Sequence, residues 1–115
     1  MNKIELSIPL SKEAIISARL VATAIATHLN LSVDEAEDVK VLASEGLNLL
    51  SACSFLRGKI EYIYEKNLQM NFFGEDNPRA ALPSKEETFI SKMLIEGLSK
   101  SSSFDFEQGK ITIMF

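Results

Sequence analysis

One cysteine, Cys53, and one histidine, His28, are all the thiol and imidazole chemistry in these 115 residues. An internal disulfide needs two thiols, and a His/Cys zinc site needs several such ligands, so both are excluded and a reducing compartment is the expected setting. Tryptophan is absent, and 5 Gly and 3 Pro are too few for a collagen-like or low-complexity chain. There is no excess of positive charge: 12 basic against 16 acidic side chains give a net charge of −4, and the basic residues are scattered singly. That balance argues against non-specific binding to nucleic acid or to an anionic membrane. No apolar run approaches the roughly 18 residues of a membrane span. Met1 to Pro9 alternate polar and apolar residues instead of running from a basic start into an apolar stretch, so no signal peptide is expected and the chain is read as whole and cytoplasmic. What is present, 46% hydrophobic and 24% charged residues, describes one ordinary globular domain over residues 1–115. Such a domain buries roughly two-thirds of its unfolded surface without help from metal or disulfide.

Hydrophobic periodicity divides the chain. Ile4, Leu6 and Ile8 alternate with Lys3, Glu5 and Ser7, a half-buried strand that Pro9 ends. Ser11 is an N-cap for a helix in which Ile16, Leu20, Ala24 and Ile25 recur at helical spacing, ending near Asn30. Ser32 with Glu35 is a capping box that opens a second helix, Val33 to about Ala52, with an expected core stripe of Ala36, Val39, Ala43, Leu47 and Leu50 and with Asp34, Glu37, Asp38 and Lys40 in solvent. Residues 59 to 73 read as a hairpin turning at Lys66 and Asn67, and Gly74 to Pro83 as the one long loop. Ser84 with Glu87 opens a third helix presenting Phe89, Met93, Leu94 and Leu98, which the serines Ser101 to Ser103 break as a loop. Phe104 and Phe106, a turn at Gln108 and Gly109, and Ile111 to Phe115 form a second hairpin. The predicted fold is a two-layer α/β (α+β) sandwich: a mixed, mostly antiparallel sheet of about five strands, with three helices on one face.

The residues with chemical potential are concentrated in the second helix, Asp34-Glu35-Ala36-Glu37-Asp38-Val39-Lys40-Val41-Leu42-Ala43-Ser44-Glu45-Gly46-Leu47-Asn48. This stretch resembles the corresponding helix of the bacterial anti-sigma factor kinases, serine-protein kinases of the histidine kinase-like ATPase fold shared with DNA gyrase and the heat-shock chaperones. Their helix reads approximately acidic-acidic-x-Lys-x-x-x-Ser-Glu-x-x-x-Asn, where the Glu activates water or a hydroxyl and the Asn holds the magnesium of ATP. The strand–helix–helix beginning and the ending Lys92-Met93-Leu94-Ile95 through Gly109-Lys110-Ile111-Thr112-Ile113 extend the resemblance over most of the chain. It implies a minimal version of that fold, a cytoplasmic regulator of transcription by partner switching, and a homodimer that binds a sigma factor or an anti-anti-sigma-like protein.

Carried over residue by residue, Glu45 falls on the catalytic Glu, but Leu49 occupies the place of the magnesium Asn, and Asn48 comes one residue early. Magnesium takes oxygen ligands in near-octahedral geometry, and leucine has none to give. The family's Asp-x-Gly-x-Gly turn, whose Asp reads adenine, is replaced by Phe72-Phe73-Gly74-Glu75-Asp76-Asn77, and the glycine-rich phosphate lid by Glu86-Glu87-Thr88-Phe89-Ile90-Ser91-Lys92. The reading is therefore a degenerate pocket in a protein that works by binding another protein, with Glu45 and Asn48 as remnant catalytic and nucleotide-binding positions and no cofactor expected. Two alternatives stay open: an active serine kinase that binds Mg-ATP through Glu45 and Asn48, and a structural subunit of a larger complex. By the same resemblance Arg19, in the first helix, is a candidate partner contact, as is the acidic segment Asp34 to Asp38. The apolar stretches Met1 to Leu10 or Ile111 to Phe115 are candidate edges for pairing with a second copy. His28 suits the carbonyl end of its helix, Cys53 a core position, and Ser101 to Ser103 a modifiable loop.

Overall fold

The computed structural model describes residues 1–77 and 82–115. In chain order the elements are β1 (Asn2–Pro9), α1 (Lys12–His28), α2 (Val33–Ala52), β2 (Arg57–Tyr64), β3 (Leu68–Glu75), α3 (Lys85–Leu98), β4 (Ser101–Asp105) and β5 (Lys110–Met114). Each helix starts where a side chain satisfies its first free amides. Ser11 Oγ accepts from the Ala14 amide at 3.2 Å. The Ser32 hydroxyl accepts from the Glu35 amide at 3.1 Å while Glu35 accepts from the Ser32 amide at 2.9 Å, and Ser84 and Glu87 repeat the reciprocal pair at α3. Asn30, at φ 55°, turns the chain between α1 and α2, a conformation that asparagine tolerates better than most side chains.

The five strands form one open sheet in the order β1-β2-β3-β5-β4, and every pairing is antiparallel. The expected mixed sheet is thus corrected: both hairpins reverse direction, and β5 meets β3 antiparallel as well. Gly74 and Glu75, assigned to the loop by sequence, extend β3 opposite Gly58 and Arg57. Residues 78–81 of that predicted loop lie outside the described residues. The serines 101–103 form β4 instead of a loop, because each has a register partner on β5. Ile111 to Phe115 is no edge: β5 is flanked by β3 and β4, so the free edges belong to β1 and β4.

Burial alternates along the strands. Ile60, Tyr62, Leu68, Met70, Phe72, Ile111 and Ile113 are buried against the helices. The opposite sheet face is polar: Lys3 bridges Glu5 at 2.8 Å and Glu61 at 3.1 Å, and the ammonium groups of Lys59 and Lys110 sit 5.0 and 5.8 Å from the centroid of Phe73. α2 is the central helix, packed against α1, α3 and the sheet. Its expected stripe holds at Val39, Ala43, Leu47 and Leu50, all buried, while Ala36, Asp38 and Lys40 are half-buried.

The two flanking helices are turned differently from expectation. α1 buries Ala18, Ala22, Ile25 and Ala26, whereas Ile16 and Leu20 are 56% and 67% exposed. Small side chains permit close approach to α2, and Tyr62 fixes the helix from below by donating its hydroxyl to the Ala18 carbonyl at 2.8 Å. α3 buries Thr88 and Ile95 and half-buries Leu94 and Leu98, leaving Phe89 and Met93 outside.

Candidate functional site

α2 passes over β3 with no side chain between backbone and sheet at Gly46. A methyl group there would lie 2.4 Å from Cε2 and Cζ of Phe72, so this glycine lets the helix sit directly on the ring. That contact fixes the rotation of the segment holding the motif. Ser44 faces α1 and is buried; it accepts from Arg19 Nη1 at 3.0 Å, and its hydroxyl lies 3.2 and 3.1 Å from the Lys40 and Val41 carbonyls. Glu45 faces α3 and is half-buried, its Oε2 accepting from Ser91 Oγ at 2.6 Å. Leu49, one turn further, is fully buried. Asn48 is exposed, three residues from Glu45 on the same helix.

Of the two remnant positions, Glu45 is half-buried and hydrogen-bonded to Ser91, whereas Asn48 is exposed. Ser91 engages one oxygen of the Glu45 carboxylate, and Leu49, one turn on, has no oxygen to offer a cation. Among the described residues no cluster of three His, Cys, Asp or Glu side chains is placed to hold a metal. Phe55, just after α2, lies on the backbone of β3 and of the β4–β5 turn at once, and a methyl group would come within 2.5 Å of its ring at Gly74 and 2.4 Å at Gly109. Gly109 also has φ 62°, which favours glycine by itself. Gly74 stands where the resemblance would place a nucleotide-binding turn; here it accommodates an aromatic side chain.

Arg19 is half-buried, its guanidinium turned to Ser44 of α2, so part of its hydrogen-bonding capacity is spent inside the domain. Asp34 and Glu37 are exposed, and Glu37 pairs with Lys40 at 2.5 Å. Cys53 is buried; desolvation, with a smaller contribution from Glu87, pushes its thiol up from 9.0 to about 11, which keeps it protonated and unreactive. His28 is exposed and meets Tyr64 edge to face at 5.4 Å.

Ser91 and Phe55 carry the two contacts that define this region, and neither stands out in the sequence: Ser91 is one serine among many, and Phe55 follows a helix end. No family model and no curated protein matches this chain. The fold and site define an α+β two-layer domain whose central helix presents one half-buried carboxylate tied to a serine.

Proposed function

We propose that this domain is a minimal member of the histidine kinase-like ATPase fold that acts as a regulator by protein–protein binding, in the manner of bacterial anti-sigma factors, with the nucleotide pocket closed by its own side chains. The observation that carries the reading is Phe55 lying over Gly74, in the stretch where the resemblance would put a nucleotide-binding turn, and over Gly109. The buried Leu49 and the Glu45–Ser91 hydrogen bond support it, since together they replace a magnesium ligand and occupy the carboxylate. The order strand, two helices, hairpin, helix, hairpin also agrees with the resemblance. The partner is a sigma factor or an anti-anti-sigma-like protein in the cytoplasm. It would be met by α1 around Arg19, Ile16 and Leu20 and by the acidic start of α2, and the regulator would be a homodimer. Among the described residues no helix is long and apolar enough to cross a membrane.

The test is titration with ATP and ADP, with and without magnesium, by calorimetry and thermal shift, because a ligand that binds only the folded state raises its stability. No response at millimolar nucleotide is the expected result. Saturable, magnesium-dependent binding that disappears in Glu45→Ala would replace this reading with an active serine kinase. Capture from the native cell addresses the partner: recovery of a transcription factor or phospho-signalling protein is expected, and recovery of metabolic or structural proteins alone would favour a subunit role.

A further inference from the structure

α3 carries an outward face that the domain itself does not use. Phe89, Ile90 and Met93 are 62%, 64% and 53% exposed, and a shallow groove along the helix is bounded by Lys85, Phe89, Lys92, Met93 and Glu96. With about 100° between successive residues, Lys85, Phe89, Met93 and Glu96 fall on one stripe, with the buried Thr88 at its inner margin and Ile95 further round toward the core. Among the described residues neither Lys85 nor Glu96 has an ion-pair partner. Both also stand at the wrong ends of their own helix: Lys85 begins it, where the dipole favours anions, and Glu96 lies in its last turn, where cations are favoured and no basic residue is present.

We infer that this face binds a second copy of the chain, with the two α3 helices antiparallel about a two-fold axis near residues 90–91. The sequence of the stripe is self-complementary in that arrangement. Lys85 of each copy meets Glu96 of the other, and Phe89 meets Met93, an aromatic–thioether contact of the favourable kind. Each misplaced charge then lies at the end of the partner helix that favours it. Glu86 lies on the other margin of the stripe from the partner's Glu96, and Lys92, which comes nearest its own symmetry mate, turns its ammonium to the Phe104 ring, 5.2 Å from the centroid. A single pair of helices of this length buries less than about 1,200 Å², which places the dimer in the weak, concentration-dependent class. The inference gives a face to the homodimer proposed above and rests on that reading for oligomeric state alone.

Sedimentation velocity and light scattering over a concentration series up to about millimolar test it, with circular dichroism to check folding. A reversible dimer is expected. Phe89→Ser is expected to abolish it while leaving the fold intact, because the ring is mostly in solvent. Lys85→Glu and Glu96→Lys are each expected to weaken it about tenfold, since the symmetric contact is changed twice, and the double exchange is expected to restore it to within about threefold. A monomer at every concentration overturns both this inference and the proposed homodimer. A dimer indifferent to Phe89→Ser and to the charge exchange overturns this inference alone and assigns association to another surface, such as the free edge of β1.

Discussion

Replacing Gly46 by alanine sets two effects of known sign against each other. In a helix interior, alanine is favoured over glycine by about 1 kcal/mol, because glycine loses more backbone freedom on folding. Against that, the new methyl group would stand 2.4 Å from two ring atoms of Phe72 and 2.8 Å from a third. Ordinary carbon contacts lie at about 3.5–4.0 Å, so helix or ring must retreat by roughly 1 Å. The ring has no free path: Phe72 is fully buried, with Ile60 and Ile111 beside it on the adjacent strands. Overpacking of a tight core costs about 1–3 kcal/mol, and a rigid neighbour puts this case at the upper end. The net expectation is destabilisation by about 1–2 kcal/mol, or roughly 5–10 °C in melting temperature for a domain of this size. Urea unfolding followed by circular dichroism measures it as a lower midpoint at unchanged slope. In a Phe72→Leu background the same substitution is expected to cost at least about 1 kcal/mol less. A Gly46→Ala protein as stable as the parent, or more stable, would refute the claim that α2 is seated directly on Phe72, and with it the account of how Glu45 is aimed at Ser91.

Gly97→Ala supplies the opposite sign: nothing lies within 4 Å of a methyl group at that position in α3, so helix propensity acts alone and stability is expected to rise by about 0.5–1 kcal/mol in the same urea assay. Tyr62→Phe removes the buried hydrogen bond to the Ala18 carbonyl and is expected to cost about 1–2 kcal/mol by thermal and urea unfolding. Cys53, with its thiol raised from 9.0 to about 11, favours the folded chain below pH 9. As pH rises through about 9 toward 11 the unfolded thiol ionises first and that contribution is lost. The fall in urea midpoint over this alkaline window is expected to be shallower in Cys53→Ala, and native Cys53 is expected to resist thiol reagents at pH 8 until the chain is unfolded.

The elements were legible wherever a local rule was sufficient. The serine–glutamate pairs at 32/35 and 84/87 each start a helix through contacts three residues apart, and the alternation of Ile4, Leu6 and Ile8 or Ile60 and Tyr62 is set by the strand itself. Sheet direction and extent were less legible, since the serines 101–103 become a strand only because β5 offers them partners. The face of α1 was misread because hydrophobicity ranks Ile16 and Leu20 above alanine, whereas a close helix contact selects for size. Ala18 and Ala22 are wholly buried there, and larger side chains would hold α1 away from α2 and break the Tyr62 bond. The candidate site was the least legible part, because its contacts join Glu45 to a serine 46 positions away and lay Phe55 on glycines of a later strand and a later turn.

These two kinds of misreading bear on function together. The side chains expected in the core but found outside, Ile16 and Leu20 on α1 and Phe89 and Met93 on α3, lie on the two helices that flank α2. Exposed apolar groups scattered singly need no explanation, but pairs four residues apart on one helix form stripes, the geometry by which helices recognise one another. Phe55 is packed on Gly74 of β3 and on Gly109, and Glu45 is bonded to Ser91. The two flanking stripes are also on separate helices, so a second copy on α3 would leave Ile16, Arg19 and Leu20 of α1 available to a different partner, and a dimer could hold two partners at once.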